Sequence, residues 1–360
     1  MIQIAVVGAG IAGLTAAYYL QHGASAPLEV TLYEKSRGVT GRVATRWFDR
    51  PTGRVYVDHG TQVLRDESPA LHEWLFELLP HHDLSDIGRP VWTFTADNVI
   101  HPGDVARAGS PQWSYANGLA TLGKRIVEVG ALNVRTEVRI GRIVQNSDAE
   151  SGRFRLFDTD GQLVGEADQV VIAIPAGQAA DLIKDSTLPS EEQNSLVAAL
   201  RQAIYRRCIS VTLGFDHREA DLSRPYYALL NTDRAHSIVW LAFEQDKPGH
   251  VPADGQVIVA QMASKFSAEH WETSSETVIA EVAAMASALL GSDVTKHDWT
   301  YIQRWRYSQP DQTISTATVN GVLPGLWFTG DYLVGGRVHL AAQHGKDIAA
   351  VIRAAAEAGQ

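Results

Sequence analysis

Three glycines and an acid supply the first chemistry in the chain. Gly8, Gly10 and Gly13 stand in the pattern G-x-G-x-x-G, and Glu34 lies 21 residues beyond Gly13. Gly8 permits a tight turn. Gly10 has no side chain to hold a pyrophosphate off the backbone, and Gly13 lets a helix pack close to a strand. Phosphates would then meet a helix N-terminus that starts at Ile11 and Ala12, where free N–H groups and the dipole favour negative charge. Glu34 stands where an acid binds a ribose diol. The pattern is that of a dinucleotide site. Lys35, Arg37, Gly41, Arg42 and Arg46 follow in a basic, glycine-bearing loop suited to phosphate contact.

Positioning these groups requires a strand, a turn, a helix and a second strand. Ile4–Val7 is a short apolar run of the kind found in buried parallel strands. Leu14–Leu20 reads as a helix with small residues on one face, and Leu28–Tyr33 as a strand ending at Glu34. Val55–Gln62 reads as a strand ending in a polar turn, Pro69–Leu79 as a helix, and Pro90–His101 as extended chain. Pro111–Gly118 reads as a loop and Leu119–Val129 as a helix, and Val134, Val138, Ile140, Ile143 and Val144 are assigned to strands. A hairpin is expected over Asp160-Gly161 between Arg153–Asp158 and Gly165–Asp168. Gln169–Ile174 is a second wholly apolar strand, stopped by Pro175. Helices at Gly177–Lys184, Ser190–Leu200 and Glu276–Leu290 are interspersed with alternating strands at 208–215, 226–231, 237–243, 257–263 and 299–305. That mixture suggests an antiparallel sheet with helices. An apolar strand, Leu326–Thr329, closes on Gly330-Asp331, and an alanine-rich helix runs from about Leu340 to Ala356.

The chain has 360 residues, enough for one large or two medium domains. A net charge of −10 argues against non-specific nucleic-acid binding. The single cysteine, Cys208, excludes a disulfide framework and a cysteine-based metal site within one chain, and no metal site is expected. It sits in an apolar strand and reads as a buried structural thiol. No apolar run approaches the roughly 20 residues that span a bilayer, and Ile2–Val7 reads as a strand rather than a signal peptide. A reducing, cytoplasmic setting fits this composition, and oligomeric state is left open.

Four segments together resemble the flavin-containing amine oxidase superfamily with its p-hydroxybenzoate-hydroxylase type of FAD fold. They are Gly8/Gly10/Gly13 with Glu34, Gly41-Arg42, the Val170–Pro175 strand, and Phe328-Thr329-Gly330-Asp331 followed by a helix carrying Gly345. Within the superfamily the chain is similar to small renalase-type oxidases. Asp58-His59-Gly60-Thr61-Gln62 resembles their Asp-x-Gly-Ala-Gln turn, and Arg304-Trp305-Arg306-Tyr307 with Pro310 resembles their Arg-Trp-x-Tyr segment. One departure stands out: the superfamily's Gly-Gly-Arg is Thr40-Gly41-Arg42 here, which suggests a slightly different loop path.

The resemblance implies non-covalent FAD, with Asp331 on the ribityl or pyrophosphate portion, Arg42 on the phosphates, Val138 presenting its backbone to the adenine, and Gly330 and Val338 nearby. It implies a hydride acceptor at the flavin, dioxygen as the electron acceptor giving hydrogen peroxide, and small-molecule substrates. Those substrates would be dihydronicotinamide isomers, the 2- or 6-dihydro forms of NAD(P). A small amine oxidase, a desaturase or protoporphyrinogen-oxidase-like enzyme, and a flavin-binding protein without turnover are the alternatives. Candidate pocket-wall and catalytic residues are His59, Gln62, Arg46, Trp305, Tyr307 and His339. The expected fold is α/β, a Rossmann-like FAD-binding domain with an inserted antiparallel-sheet-plus-helix substrate domain. Residues 1–68, 118–176 and 320–360 would form the discontinuous FAD-binding domain, and 69–117 and 177–319 the substrate domain. The strand ending at Asp331 must then share a sheet with Ile4–Val7, because ligands bind at the carboxyl ends of such strands.

Overall fold

A computed structural model describes residues 2–23, 28–103, 110–146, 154–217 and 222–358. Its first layer is a parallel five-stranded sheet in the order β19-β13-β1-β2-β9, formed by Leu326–Phe328, Gln169–Ile172, Ile2–Val7, Leu28–Tyr33 and Asn133–Arg135. Ile4–Val7 pairs in register with Gln169–Ile172, and Val170–Ile172 with Leu326–Phe328. The strand that leads to Asp331 therefore lies in the sheet of Ile4–Val7.

Alternation along β1 decides what covers each face. Ile4 and Val6 point to helix α1 (Ile11–His22) and to the C-terminal helix α6 (Val338–Ala358), in a core with Leu14, Leu20 and Ile352. Ala5 and Val7 point the other way, into a core with Ile143, Phe154 and Leu156. Those three belong to an antiparallel meander of β10 (Ile140–Gln145), β11 (Phe154–Asp158) and β12 (Leu163–Ala167). The expected hairpin over Asp160-Gly161 joins β11 to β12, and Arg153 lies outside the described residues.

The second layer is a seven-stranded sheet ordered β18-β14-β17-β16-β15-β6-β7. Its strands are Trp299–Gln312, Ile204–Phe215, Gln256–Met262, Ile238–Phe243, Ala228–Asn231, Val91–Phe94 and Ile100–His101. All neighbours are antiparallel except β15 and β6, which run parallel. Helix α5 (Ser275–Leu290) packs Val278, Val282 and Leu289 on one face. On the other face Val257 and Val259 meet Val55 and Val57 of a hairpin, β3 (Thr45–Arg50) with β4 (Gly53–Asp58). This hairpin links the layers.

Several local expectations are corrected. Arg46 lies in β3 rather than in the basic loop, because that loop closes early: Thr40 N–H donates to Ala9 O at 2.8 Å. The segment Pro111–Gly118 contains a strand, β8 (Trp113–Tyr115), paired with β5 (Leu84–Asp86). The helix expected over Pro69–Leu79 is α-helical for Pro69–His72 and then π-helical for Glu73–Leu78. Val138 belongs to no strand, and its N–H donates to Glu34 O at 3.0 Å. β18 continues well past Trp305, to Gln312.

Candidate active site

The turn after β1 is shaped by what each glycine lacks. Gly8 has φ +105°, and a Cβ there would lie 2.7 Å from Ile174 Cγ2. A Cβ on Gly13 would stand 2.0 Å from Gly8 O, so α1 can sit this close to β1 only with glycine at that position. Gly10 differs, since nothing lies within 4 Å of a Cβ built on it. It is the N-cap of α1, in extended backbone, and no side chain caps the N–H groups of the first turn. That bare, N–H-lined cradle fits a pyrophosphate. Behind it Gly345 of α6 packs against α1, where a Cβ would stand 2.4 Å from Ala12 O.

Glu34 is buried at the end of β2, where its Oε2 accepts from Ala9 N at 2.9 Å and its Oε1 from Ser36 N at 2.8 Å. The carboxylate thus ties the glycine turn to the loop that follows it. Gly8, Glu34, Lys35, Val138 and Arg142 line one cleft of about 440 Å³. Val138 has spent its N–H on Glu34 and offers the cleft only its carbonyl and side chain. The residues present fit FAD: a glycine cradle, an acid at ribose distance in sequence, and a cleft beyond it.

Arg42 and Asp331, expected to meet the cofactor separately, meet each other. Arg42 donates to both carboxylate oxygens, at 2.6 and 2.9 Å, and also to the carbonyls of Tyr307 and Ser308, each at 3.1 Å. Tyr205 Oη donates to Asp331 Oδ1 at 2.8 Å. Burial works against the Arg42 charge, but Asp331 outweighs it and raises the guanidinium above its ordinary value. Burial, followed by Asp331, pushes the Tyr205 hydroxyl up, so it stays a donor. Asp331 begins a short helix directly after Gly330, which has φ +145°. Thr40, in place of the superfamily's glycine, takes φ +86°. The loop keeps a backbone that favours glycine, and Thr40 holds it at the cost of strain.

The turn after β4 builds a second feature. His59 stacks on Trp305 with ring centroids 5.3 Å apart and planes 12° apart, and meets the edge of Tyr301 at 5.3 Å. Trp305 Nε1 donates to His59 O at 3.0 Å. Gly60 sits between the two parts of the site: a Cβ there would stand 2.2 Å from Arg42 O and 3.3 Å from Trp305 Cζ2. Burial pushes the His59 imidazole down to about 4, with Asp58 opposing and Arg46 adding to the fall. Among the described residues its buried Nδ1 has no partner, and neither has the buried Oε1 of Gln62. Gln62 Nε2 donates to Asp58 O. Arg46 is exposed beside this pair, 6.0 Å from the Tyr301 ring centroid, and among the described residues it pairs with no carboxylate.

Tyr307 lies two residues along β18 from Trp305, edge-on to Tyr205 and beside Arg42. His339 joins a different cluster: its Nδ1 is 3.4 Å from Glu67, and its carbonyl accepts from Ser68 Oγ at the start of α6. Val338 is the first residue of that helix. Cys208 pairs in register with Trp305 but is buried, and burial pushes its thiol up to about 11, so it is not a nucleophile.

Sequence reasoning missed Tyr205, Tyr301 and a buried polar group of Asp58, Glu244, Lys247 and His250. Strand alternation could have found Tyr301, which shares a face of β18 with Trp305. Asp58 stands in the turn motif, but nothing local marks Tyr205, Glu244, Lys247 or His250.

Residues 88–353 match the family described as flavin containing amine oxidoreductase, and residues 6–78 match an NAD(P)-binding Rossmann-like domain. Among solved structures the chain is similar to a candidate protoporphyrinogen oxidase from Exiguobacterium sp. 255-15, at 18% identity and TM-score 0.76, over 98% of each chain. It is also similar to cyclohexylamine oxidase from Brevibacterium oxydans IH-35A, at 16% identity and TM-score 0.73, over 99% of each chain. Putrescine oxidase bound to putrescine is 16% identical with TM-score 0.73, over 98% of this chain and 99% of that one. At these identities the likeness is one of fold. No helix among the described residues is long and apolar enough to cross a membrane.

Proposed function

The chain belongs to the flavin containing amine oxidoreductase family and is an FAD-dependent oxidoreductase, and from that premise we propose that it oxidises dihydronicotinamide isomers, the 2- or 6-dihydro forms of NAD(P), to NAD(P)+. Bound FAD supplies a hydride acceptor that dioxygen reoxidises to give hydrogen peroxide. The chain's own residues bind, orient and shield. Gly8–Gly13 and Glu34 hold the dinucleotide, Arg42 and Asp331 the middle of the cofactor, and His59, Gln62, Trp305 and Tyr307 wall the substrate side. His339 borders the start of α6.

One observation carries the choice of substrate. The surface beside His59 offers the Trp305 and Tyr301 rings and the exposed cation of Arg46, which pairs with no carboxylate among the described residues. The nearest carboxylate, Asp58, is buried and already matched by Lys247 at 2.9 Å. An alkylammonium would find no free anion there, whereas a flat, anionic hydride donor would find both a stacking surface and a cation.

We further assign residues 1–68, 118–176 and 320–360 to a discontinuous FAD-binding unit and 69–117 with 177–319 to the substrate unit. In support, the seven-stranded sheet draws strands only from the two latter segments.

Anaerobic mixing of the holoenzyme with isomeric dihydronicotinamides and with a panel of amines, while following loss of the long-wavelength flavin band, tests the reading. Fast bleaching by the former alone supports it. Bleaching by amines alone replaces it with a small amine oxidase. In Arg46→Met the apparent Kd for a productive donor should rise about tenfold, the loss of one exposed charge contact of about 1.4 kcal/mol.

A further inference from the structure

Beneath the His59 turn lies a group of side chains that the proposed chemistry does not use. Asp58, Glu244, Lys247 and His250 are all fully buried, with no exposed side-chain surface. Ligand-type atoms of Asp58, Glu244 and His250 lie within 4.8 Å of one another, the arrangement of a divalent metal site. The cation already there is an ammonium. Lys247 Nζ stands 2.9 Å from Asp58 Oδ2 and 2.8 Å from Glu244 Oε1. His250 completes the group, with Nδ1 2.9 Å from Glu244 Oε2 and Nε2 3.0 Å from Tyr115 O.

We infer that the Lys247 ammonium is the resident cation of a site built by Asp58, Glu244 and His250, and that Lys247 thereby positions the His59–Gln62 turn. Asp58 is the joint. Its Oδ1 accepts from Thr45 Oγ1 at 2.6 Å and from Leu119 N at 3.0 Å. Its own N–H donates to Glu244 Oε2 at 3.1 Å, and its carbonyl accepts from Gln62 Nε2. The next residue is His59. Glu244 and Lys247 come from the connection between β16 and β17, so the ion pairs fasten the turn to the seven-stranded sheet. Burial disfavours both charges of the Lys247–Asp58 pair, but each partner more than restores the other: the ammonium is raised and the Asp58 carboxyl held below the usual range. Without the ammonium, two buried carboxylates keep only the His250 imidazole beside them, and the turn must shift to separate or hydrate them. In wild type the ammonium already stands between the two carboxylates.

The positioning role rests on the flavin reading of the site, so the test has arms that do not. In the holoenzyme, Lys247→Ala should lower Tm by about 4–7 °C, the shift expected for an unpaired buried charge in a chain of this size. Added Co²⁺ should restore Tm in the variant and give cobalt d–d absorption bands, while wild type binds none. The visible circular dichroism of bound flavin should change in Lys247→Ala and return with Co²⁺. Leu289→Ala, an apolar truncation in α5, should lose stability without that change. Where Lys247→Ala is insoluble, Asp58→Asn/Lys247→Met, which removes one charge of each sign, should be soluble with altered flavin dichroism. Cobalt uptake by wild type, an unchanged Lys247→Ala, the same dichroism change in Leu289→Ala, or a double variant no better behaved than the single one overturns the inference. A wild type that binds no flavin refutes the flavin reading instead, and leaves the cobalt and Tm arms to decide the cation site.

Discussion

Gly10→Ala should separate cofactor binding from folding. Gly10 has φ −74° and ψ 174°, a conformation open to alanine, and a Cβ there meets nothing within 4 Å. The cost to the cofactor-free protein is that of a poorer N-cap, at most about 1 kcal/mol, or about 1 °C in Tm for a chain of this length. The new methyl fills the space above the free N–H groups of α1. A pyrophosphate pushed away from them loses about two charge-assisted hydrogen bonds at ~1.5–3 kcal/mol each. The sum, ~3–6 kcal/mol, is a loss of about 10²–10⁴ in FAD affinity. Gly13→Ala makes the contrast. Its Cβ would lie 2.0 Å from Gly8 O, so α1 must move off β1, and the fold itself should lose about 3 kcal/mol. The assay is FAD titration of the apoprotein by calorimetry beside thermal unfolding by far-ultraviolet circular dichroism. A Gly10→Ala protein that binds FAD as tightly as wild type would refute the placement of the pyrophosphate.

Four further outcomes are expected. Glu34→Ala should weaken FAD binding by about 1–3 kcal/mol and also lower apoprotein stability, because Ala9 N and Ser36 N lose their acceptor; calorimetry and unfolding measure the two effects separately. Arg42→Lys breaks the bidentate pair with Asp331 and should cut FAD occupancy, read from the ratio of flavin to protein absorbance. His59 is depressed to about 4 in the folded chain, against about 6.5 when unfolded. The unfolded state therefore binds the extra proton first, and the stability this group contributes is full above about pH 6.5 and lost as pH falls toward 4. His59→Phe should flatten that part of the stability profile; an unchanged slope would show that His59 titrates normally. Acid precipitation should release FAD intact into the supernatant, and Cys208→Ala should leave this unchanged, since flavin retained in the pellet would mean a covalent link.

The parallel sheet was legible because β1 and β13 are short, largely apolar runs and β2 alternates apolar with polar residues, patterns with which their burial agrees. The glycine turn was legible for the same reason: its constraints act between neighbours in sequence. Pairing the seven-stranded sheet was not legible in detail, since a parallel junction such as β15 with β6 depends on a strand from far earlier in the chain. The Arg42–Asp331 pair joins residues 289 apart, and Lys247–Asp58 residues 189 apart. No local pattern encodes such meetings, although both aspartates had been marked by the motifs around them. Thr40 shows the reverse limit. A threonine in a glycine's place suggested a changed loop, yet tertiary contacts hold it at φ +86°.

The strand order also sets a timetable for synthesis. β1 is made well before its neighbour β13, Gln169–Ile172, and before β19 beyond that, Leu326–Phe328. A ribosome adding about 5–20 residues per second needs roughly a quarter of a minute to a minute between β1 and β19. During that interval β1 and β2 carry an unpaired edge and an apolar face that α6 has yet to cover. The nascent chain is a natural client for chaperones over this period. The Arg42–Asp331 pair closes late as well, because Asp331 is made after every strand of both sheets.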